Sequence, residues 1–307
     1  MPRRVGVIFV HGISANELNY SLPMQKKLCE LLPHELHSLI KFEEVFWARH
    51  VRPRQAEFMK DVRAADPGVV ENRLRQFFVE GMGDAAAYQK TRDRANSIYY
   101  KVHGDLLDAL KNLERRGLTD SPLIFVGHSL GTHIISSFAW DINKLKQRSQ
   151  GYIDARPEAK ELWNFLNAEN RAPMRRLDTF AGLVTMGSNI PLFTFTFGGA
   201  DVFPITMAPS GTTFTPAFPG PALTPELSAK SRWLNFYSPR DVLGYPLKPL
   251  NGYFDAVKCL EDISVNTERA IDRTVPYWSN VAAHMGYWTN PVVVRRTADL
   301  IRDMIET

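Results

Sequence analysis

Cysteine is scarce in this sequence, which has only Cys29 and Cys259 among its 307 residues. Two cysteines so far apart do not make the disulfide framework of a small secreted domain, and we expect two buried, reduced thiols. Long apolar runs are lacking too, since no segment approaches the roughly 18 residues that a membrane-spanning helix needs. The composition therefore argues against a disulfide scaffold and against an integral membrane segment.

A dominant charge of one sign is also missing, because the net charge is only +4 and the basic residues are scattered. We therefore expect no nucleic-acid partner. His34 and His37 stand three apart without further ligands nearby, which predicts no metal site. The segment Gly81–Ala86 looks like a dinucleotide fingerprint, but it follows the helix-like Arg73–Glu80 instead of a strand. We expect no cofactor.

A secretion signal is not evident at the start of the chain. The apolar run Val5–Val10 is too short for the core of a signal peptide, and His11 and Gly12 follow it at once. This pattern predicts a cytoplasmic protein.

Short apolar segments alternate with helix-like segments along the chain, which is typical of an α/β fold with a mostly parallel sheet. The predicted strands are Val5–Val10, Ile40–Trp47, Leu123–Val126, Ala181–Met186, Trp233–Tyr237 and Ile263–Val265. The clearest predicted helices are 16–32, 98–116, 130–145 and 291–305. We expect one domain over residues 1–307, with a central sheet of about six strands flanked by helices.

Two segments depart from this alternation. Residues 49–101 are charged and helical in pattern, which predicts a helical cap insertion between two strands. Residues 190–225 are rich in Phe and Pro, and we expect a long ordered loop over the active site. Phe193 and Phe195 are candidates for substrate binding, as is His128. Packing of this loop onto the core is an equally good interpretation of its phenylalanines.

The segment Gly127-His128-Ser129-Leu130-Gly131 matches the pattern G-x-S-x-G. A serine in this pattern sits on a sharp strand-to-helix turn, and the small residues on either side relieve crowding there. Here a buried strand precedes the pattern and a helix follows it. We therefore predict that Ser129 is a nucleophile at the C-terminal edge of the sheet, where open α/β sheets bind ligands.

A serine nucleophile needs a base, and elimination points to one of the eight histidines. Enzymes with this turn carry nucleophile, acid and base in that order along the chain. Five histidines precede Ser129, His128 lies inside the motif, and His133 lies on the following helix. His284, in a loop-like segment before the last helix, is the predicted base.

The predicted acid is Asp241, which follows the strand ending near Tyr237 and so falls at the same edge of the sheet. Asp255, Glu261 and Asp262 are the competing candidates. Asp255 lies in a surface-like segment. Glu261 and Asp262 precede the predicted strand at Ile263, which would put them at the opposite edge.

Two backbone N–H groups are expected to stabilise an oxyanion. One belongs to Leu130, the residue after the nucleophile. The other comes from the loop after the first strand, with Ile13 as the first choice and Ser14 as the second. A plain turn at His11-Gly12, without a role in catalysis, is the competing interpretation.

Together, the His11-Gly12 loop, the Gly127–Gly131 turn, Asp241 and His284 resemble the α/β-hydrolase superfamily over nearly the whole chain, from Val5 to Ile305. Three stretches also look like a bacterial branch of esterase-like hydrolases: Val184–Pro191, Asn235–Asp241 and His284–Trp288. The resemblance implies eight strands. This chain begins at what corresponds to the third strand, so we expect the first hairpin to be lacking.

The expected activity is hydrolysis of a small-molecule carboxylic ester through an acyl-enzyme on Ser129. A short- to medium-chain acyl group is the central expectation. Amidases, thioesterases and acyltransferases use the same triad, and the sequence does not separate them. The sequence is also compatible with a non-catalytic binding module of the same fold, and with a peripheral membrane protein that docks through the Phe-rich loop. It does not determine the oligomeric state.

Overall fold

Six parallel strands form one open sheet at the centre of the protein. The computed structural model describes residues 2–13, 17–66, 68, 73–91, 96–168, 173–196, 204–206, 216–267 and 282–307. The strands are β1 (Val5–Val10), β2 (Ile40–Val45), β3 (Leu123–His128), β4 (Phe180–Met186), β5 (Arg232–Tyr237) and β6 (Leu260–Ser264). They are arranged in the order β2-β1-β3-β4-β5-β6, and every neighbouring pair is parallel. The prediction of an α/β fold with a six-stranded parallel sheet is confirmed.

Helices connect the strands, as parallel pairing requires. They are α1 (Leu22–Leu31), α2 (Arg52–Ala65), α3 (Arg73–Ala87), α4 (Ile98–Arg115), α5 (Leu130–Lys146), α6 (Gln150–Asp154), α7 (Pro157–Leu166), α8 (Ile190–Phe193), α9 (Pro225–Lys230), α10 (Gly252–Asp255) and α11 (Pro291–Glu306). Helices α2 and α3 lie between β2 and β3, in the region where the sequence predicts an insertion.

The central strands are buried on both faces, which explains their continuous apolar sequence. Every residue of β1, β3 and β4 is buried. Along β1, Ile8 and Val10 join the core layer that contains α4 and α5. Val7 and Phe9 join the opposite layer, which contains α1 and α11. The period of two along the strand thus divides its side chains between two cores.

Helix ends follow the signals in the sequence. The Asn290 side chain accepts hydrogen bonds from the N–H groups of Val292 and Val293 at the start of α11. After α4, Gly117 adopts φ +81°, a left-handed conformation that favours glycine, and the Leu118 N–H donates back to the Leu113 carbonyl. Both ends agree with the cap residues in the sequence.

Two predicted boundaries are wrong. Helix α1 begins at Leu22 and not near Asn16, because residues 17–21 form a turn and Pro23 occupies the first helical turn. Strand β6 begins at Leu260, which pairs with Trp233 of β5. Glu261 and Asp262 consequently lie inside the strand and not before it.

Residues 190–225 are described only in part. They begin with α8 and a 3-10 turn at Thr194–Thr196, and residues 204–206 and 216–225 are also placed. The remainder of the predicted Phe-rich loop lies outside the described residues. Within the described part of the chain, no helix combines the length and apolar character needed to cross a membrane. Cys29 and Cys259 are both free and half-buried.

Candidate active site

Ser129 stands on a strained turn between β3 and α5. Its backbone has φ +51° and ψ −124°, a region that residues other than glycine rarely occupy. The turn is closely packed: a side chain at Gly127 would lie 3.1 Å from the Thr132 Cα, and one at Gly131 would overlap the Val10 carbonyl oxygen. The flanking glycines therefore allow the turn to sit against its own helix and against β1.

Asp241 and His284 form a buried pair. The Nδ1 atom of His284 lies 2.9 Å from each carboxylate oxygen of Asp241, although 43 residues separate the two in sequence. Asp241 is on the turn after β5, and His284 lies just before the 3-10 turn Gly286–Thr289. With Nδ1 donating to the carboxylate, the tautomer of the imidazole is set and Nε2 is left to accept a proton.

Further donors hold the Asp241 carboxylate. The Leu243 N–H donates to Oδ1 at 2.9 Å, and the Tyr287 hydroxyl donates to Oδ2 at 2.8 Å. Burial by itself raises the pKa of Asp241, but the hydrogen bond and charge of His284, with these two donors, outweigh it and lower the pKa below its ordinary value. The carboxylate is therefore ionised near neutral pH.

The space around this pair is tight. Gly187, directly after β4, has φ +56°, and a Cβ there would lie 2.9 Å from Asp241 Oδ2 and 3.2 Å from His284 Nδ1. A Cβ at Gly244 would overlap the same carboxylate oxygen. Two glycines from different loops thus make room for the acid and the base.

Within the part of the chain that the structure describes, Ser129 Oγ and His284 Nε2 have no hydrogen-bond partner, and both atoms are buried. These two atoms are accordingly not bonded to each other in this structure. Both residues are 0% exposed.

The loop after β1 lies against the nucleophile. A side chain at Gly12 would overlap Ser129 Cβ and come within 3.1 Å of its Oγ. Ile13 follows on the same turn and is buried. Leu130 is the first residue of α5, so its N–H has no acceptor within the helix. Ile13 thus follows a residue that lies against Ser129, Leu130 is its neighbour in the chain, and Ser14 lies outside the described residues.

Helix α3 packs onto this loop. Gly81 of α3 approaches Ile13 so closely that a Cβ would lie 2.9 Å from the Ile13 Cδ1 atom. A Cβ at Gly83 would lie 2.9 Å from Nε2 of Gln55 on α2. The glycines of the dinucleotide-like segment are therefore helix-packing residues, since the segment lies inside α3 and does not follow a strand.

His128 is turned into the interior. Its Nε2 donates to the backbone carbonyl of His284 at 2.6 Å, and it is 2% exposed. Burial, followed by the nearby charge of His284, lowers the pKa of His128 to about 3. The neutral ring therefore ties the residue before the nucleophile to the segment that carries the base.

The two candidate phenylalanines differ in their surroundings. Phe193 stacks on His133, with ring centroids 4.1 Å apart and planes 4° apart. Phe195 is 80% exposed. His133 lies one turn along α5 from Ser129, and burial lowers its pKa to about 4, so the pair is uncharged at neutral pH. The structure places Phe193 beside the helix of the nucleophile and Phe195 at the surface.

Two further side chains, His11 and Asp262, hold loops at the site through contacts that the sequence analysis did not predict. His11 stacks on Trp47 at 4.9 Å and accepts the Ala48 N–H through Nε2, which holds the loop after β1. Asp262 accepts the N–H groups of Leu247 and Lys248, which holds the loop after Asp241. A carboxylate inside a strand that pairs with loop amides has no local sequence signal, because its partners come from another segment.

No protein-family model matches the chain, and no curated protein matches it. Any function of the chain therefore has to be inferred from the geometry of these side chains. Among the described residues, no group of three or more His, Cys, Asp or Glu side chains is arranged to hold a metal ion.

Chemically, the arrangement offers a hydroxyl, an imidazole nitrogen and an ionised carboxylate at one edge of the sheet. The hydroxyl of Ser129 is held at the carboxyl edge of the sheet by a strained turn. The imidazole of His284 is oriented by Asp241. The loop after β1 lies against Ser129, and the first turn of α5 begins at the next residue.

Proposed function

We propose that this protein is a serine hydrolase of the α/β-hydrolase superfamily that cleaves carboxylic esters through an acyl-enzyme on Ser129. The observation that carries the proposal is the buried Asp241–His284 pair, with a 2.9 Å hydrogen bond, at the same sheet edge as a serine with φ +51°. Strain at a nucleophile and an oriented imidazole are costly arrangements that serve acyl transfer.

In the acylation step, Ser129 Oγ attacks the ester carbonyl carbon while its proton passes to His284 Nε2. The N–H groups of Leu130 and Ile13 stabilise the oxyanion that forms. The carbon–oxygen bond to the leaving group then breaks, and His284 returns the proton to the departing alcohol.

In the deacylation step, His284 Nε2 takes a proton from water, and the resulting hydroxide attacks the acyl-enzyme. The bond to Ser129 breaks, and the proton on His284 returns to Oγ. Asp241 remains ionised throughout and stabilises the imidazolium in both steps. Each cycle consumes one ester and one water and releases one acid and one alcohol.

Covalent labelling with a fluorophosphonate probe tests the proposal, because the probe reacts only with an activated serine. Wild type should be labelled, and Ser129→Ala should not. Ser231→Ala is the matched control, since this buried serine donates to the Leu227 carbonyl far from the triad. It should be labelled like wild type.

Hydrolysis of a p-nitrophenyl ester series from acetate to laurate then measures the preferred acyl length. Ser129→Ala should lower kcat by at least about 10⁴-fold. Folded wild type that neither reacts with the probe nor cleaves any ester would overturn the proposal in favour of a binding module. Cleavage of amides or thioesters with esters untouched would reassign the substrate class and keep the triad.

A further inference from the structure

The hydroxyl of Tyr287 links the end of a strand to the acid of the triad. It accepts a hydrogen bond from the Ser238 N–H at 2.8 Å and donates one to Asp241 Oδ2 at 2.8 Å. Tyr287 is 0% exposed, and its ring belongs to the 3-10 turn that directly follows His284. The same short segment therefore carries the base and a contact to the acid.

Without this hydroxyl, the hydrogen bonds to the carboxylate would be unevenly distributed between its two oxygens. Oδ1 accepts from the Leu243 N–H and from His284 Nδ1. Oδ2 accepts from Tyr287 and from His284 Nδ1. Removing the hydroxyl leaves Oδ2 with the imidazole as its remaining partner among these donors. The carboxylate is then fixed independently of the imidazole at Oδ1 alone, so it turns more easily about its Cβ–Cγ bond, which weakens its alignment with the imidazole.

We propose that Tyr287 is a positioning residue that holds the Asp241 carboxylate in the plane of the His284 imidazole by fixing Oδ2 to the end of β5. This role rests on the proposed hydrolase function. The hydrogen bonds of its hydroxyl go to Ser238 and Asp241, so it acts through Asp241. A residue that only filled the core would need its ring and not its hydroxyl.

The decisive variant is Tyr287→Phe, which keeps the ring and removes the hydroxyl. We expect kcat for p-nitrophenyl ester hydrolysis to fall about 10- to 100-fold, with little change in KM. A loss of this size corresponds to one hydrogen bond to a charged group. Tyr99→Phe is the matched control, because Tyr99 is also a buried tyrosine, and its hydroxyl donates to the half-buried Asp141 at 2.9 Å, outside the triad. It should change kcat less than about twofold.

A double-mutant cycle shows whether Tyr287 acts through the acid. In an Asp241→Asn background, Tyr287→Phe should have less than about twofold effect, since the carboxylate it positions is gone. An equal loss in both backgrounds, or wild-type kcat in Tyr287→Phe, would overturn the role. Failure of the hydrolase function itself would show differently, as absence of probe labelling in wild type.

Discussion

The imidazole of His128 donates a hydrogen bond to the main-chain carbonyl of His284 across 2.6 Å, joining residues 156 positions apart in the sequence. His128 ends β3, directly before the nucleophile, and His284 carries the base. Because burial lowers the pKa of His128 to about 3, this donor is a neutral Nε2–H group at any ordinary working pH. The turn of the nucleophile and the segment of the base are thus held together without a charge in the site.

Replacing His128 should loosen the base segment. His128→Phe leaves a buried carbonyl without a donor, so we expect the free energy of unfolding to fall by about 1–3 kcal/mol, with kcat reduced about tenfold. His128→Gln places an amide N–H near the position of Nε2 and should recover most of both losses. Urea unfolding and ester kinetics check this, and equal behaviour of the two variants would refute the hydrogen bond as the cause.

Neutralising the acid should slow catalysis without unfolding the protein. Asp241→Asn keeps the side-chain shape but removes the charge that stabilises the imidazolium, and kcat should drop about 10³- to 10⁴-fold. Asp255→Asn is the control, because Asp255 is exposed on α10 and competes with Asp241 as the acid on sequence grounds. Steady-state kinetics on both variants decide between the two carboxylates. A larger loss in Asp255→Asn would contradict the assignment.

A methyl group at Gly187 should damage the acid–base pair. The residue has φ +56°, and its Cβ would press on Asp241 Oδ2 and His284 Nδ1. We expect Gly187→Ala to lose about 1–3 kcal/mol of stability and at least about 100-fold in kcat.

The matched control for that substitution is Gly104→Ala in α4, where a Cβ would meet nothing within 4 Å. It should gain about 0.5–1 kcal/mol from helix propensity and leave kcat unchanged. Thermal unfolding and kinetics measured together distinguish crowding at the pair from the general effect of adding a methyl group. Full activity in Gly187→Ala would refute the crowding.

Stability should depend on pH through Asp84 in the insertion. This carboxylate is fully buried against Arg52 and Gln55, at distances of 2.9–3.3 Å. Burial outweighs these partners and raises the pKa of Asp84 to about 6 from 3.8. The folded state then binds a proton more readily than the unfolded state, so this contribution to stability is present below about pH 4 and is lost as pH rises through 6.

The test compares urea unfolding of wild type and Asp84→Asn between pH 4 and pH 7. The stability of wild type relative to the variant should decline by about 1–3 kcal/mol over this interval, because the variant cannot titrate at this position. Other titrating groups cancel in the difference. A difference that grows with pH would mean that the Arg52 ion pair outweighs burial.

Local patterns were sufficient for the strands and for the candidate nucleophile. Continuous apolar runs identify strands that are buried on both faces. The glycines around Ser129 indicate a tight turn, because the atoms that crowd this turn come largely from neighbouring residues. Boundaries were less secure where tertiary contacts set them. Strand β6 begins at Leu260 because Trp233 of β5 pairs with it, and no feature of residues 260–262 alone indicates this pairing.

By itself, the sequence determined the fold class, the serine on its strained turn and, through chain order, the histidine and aspartate that could serve it. Those features depend on neighbouring residues and on the order of strands. Only the tertiary structure decided that Tyr287 meets Asp241, that His128 meets the carbonyl of His284, and that Gly81 seats the insertion on Ile13. Each of these contacts joins segments that are far apart along the chain. How closely such segments approach is set by the packing of the whole sheet and its helices.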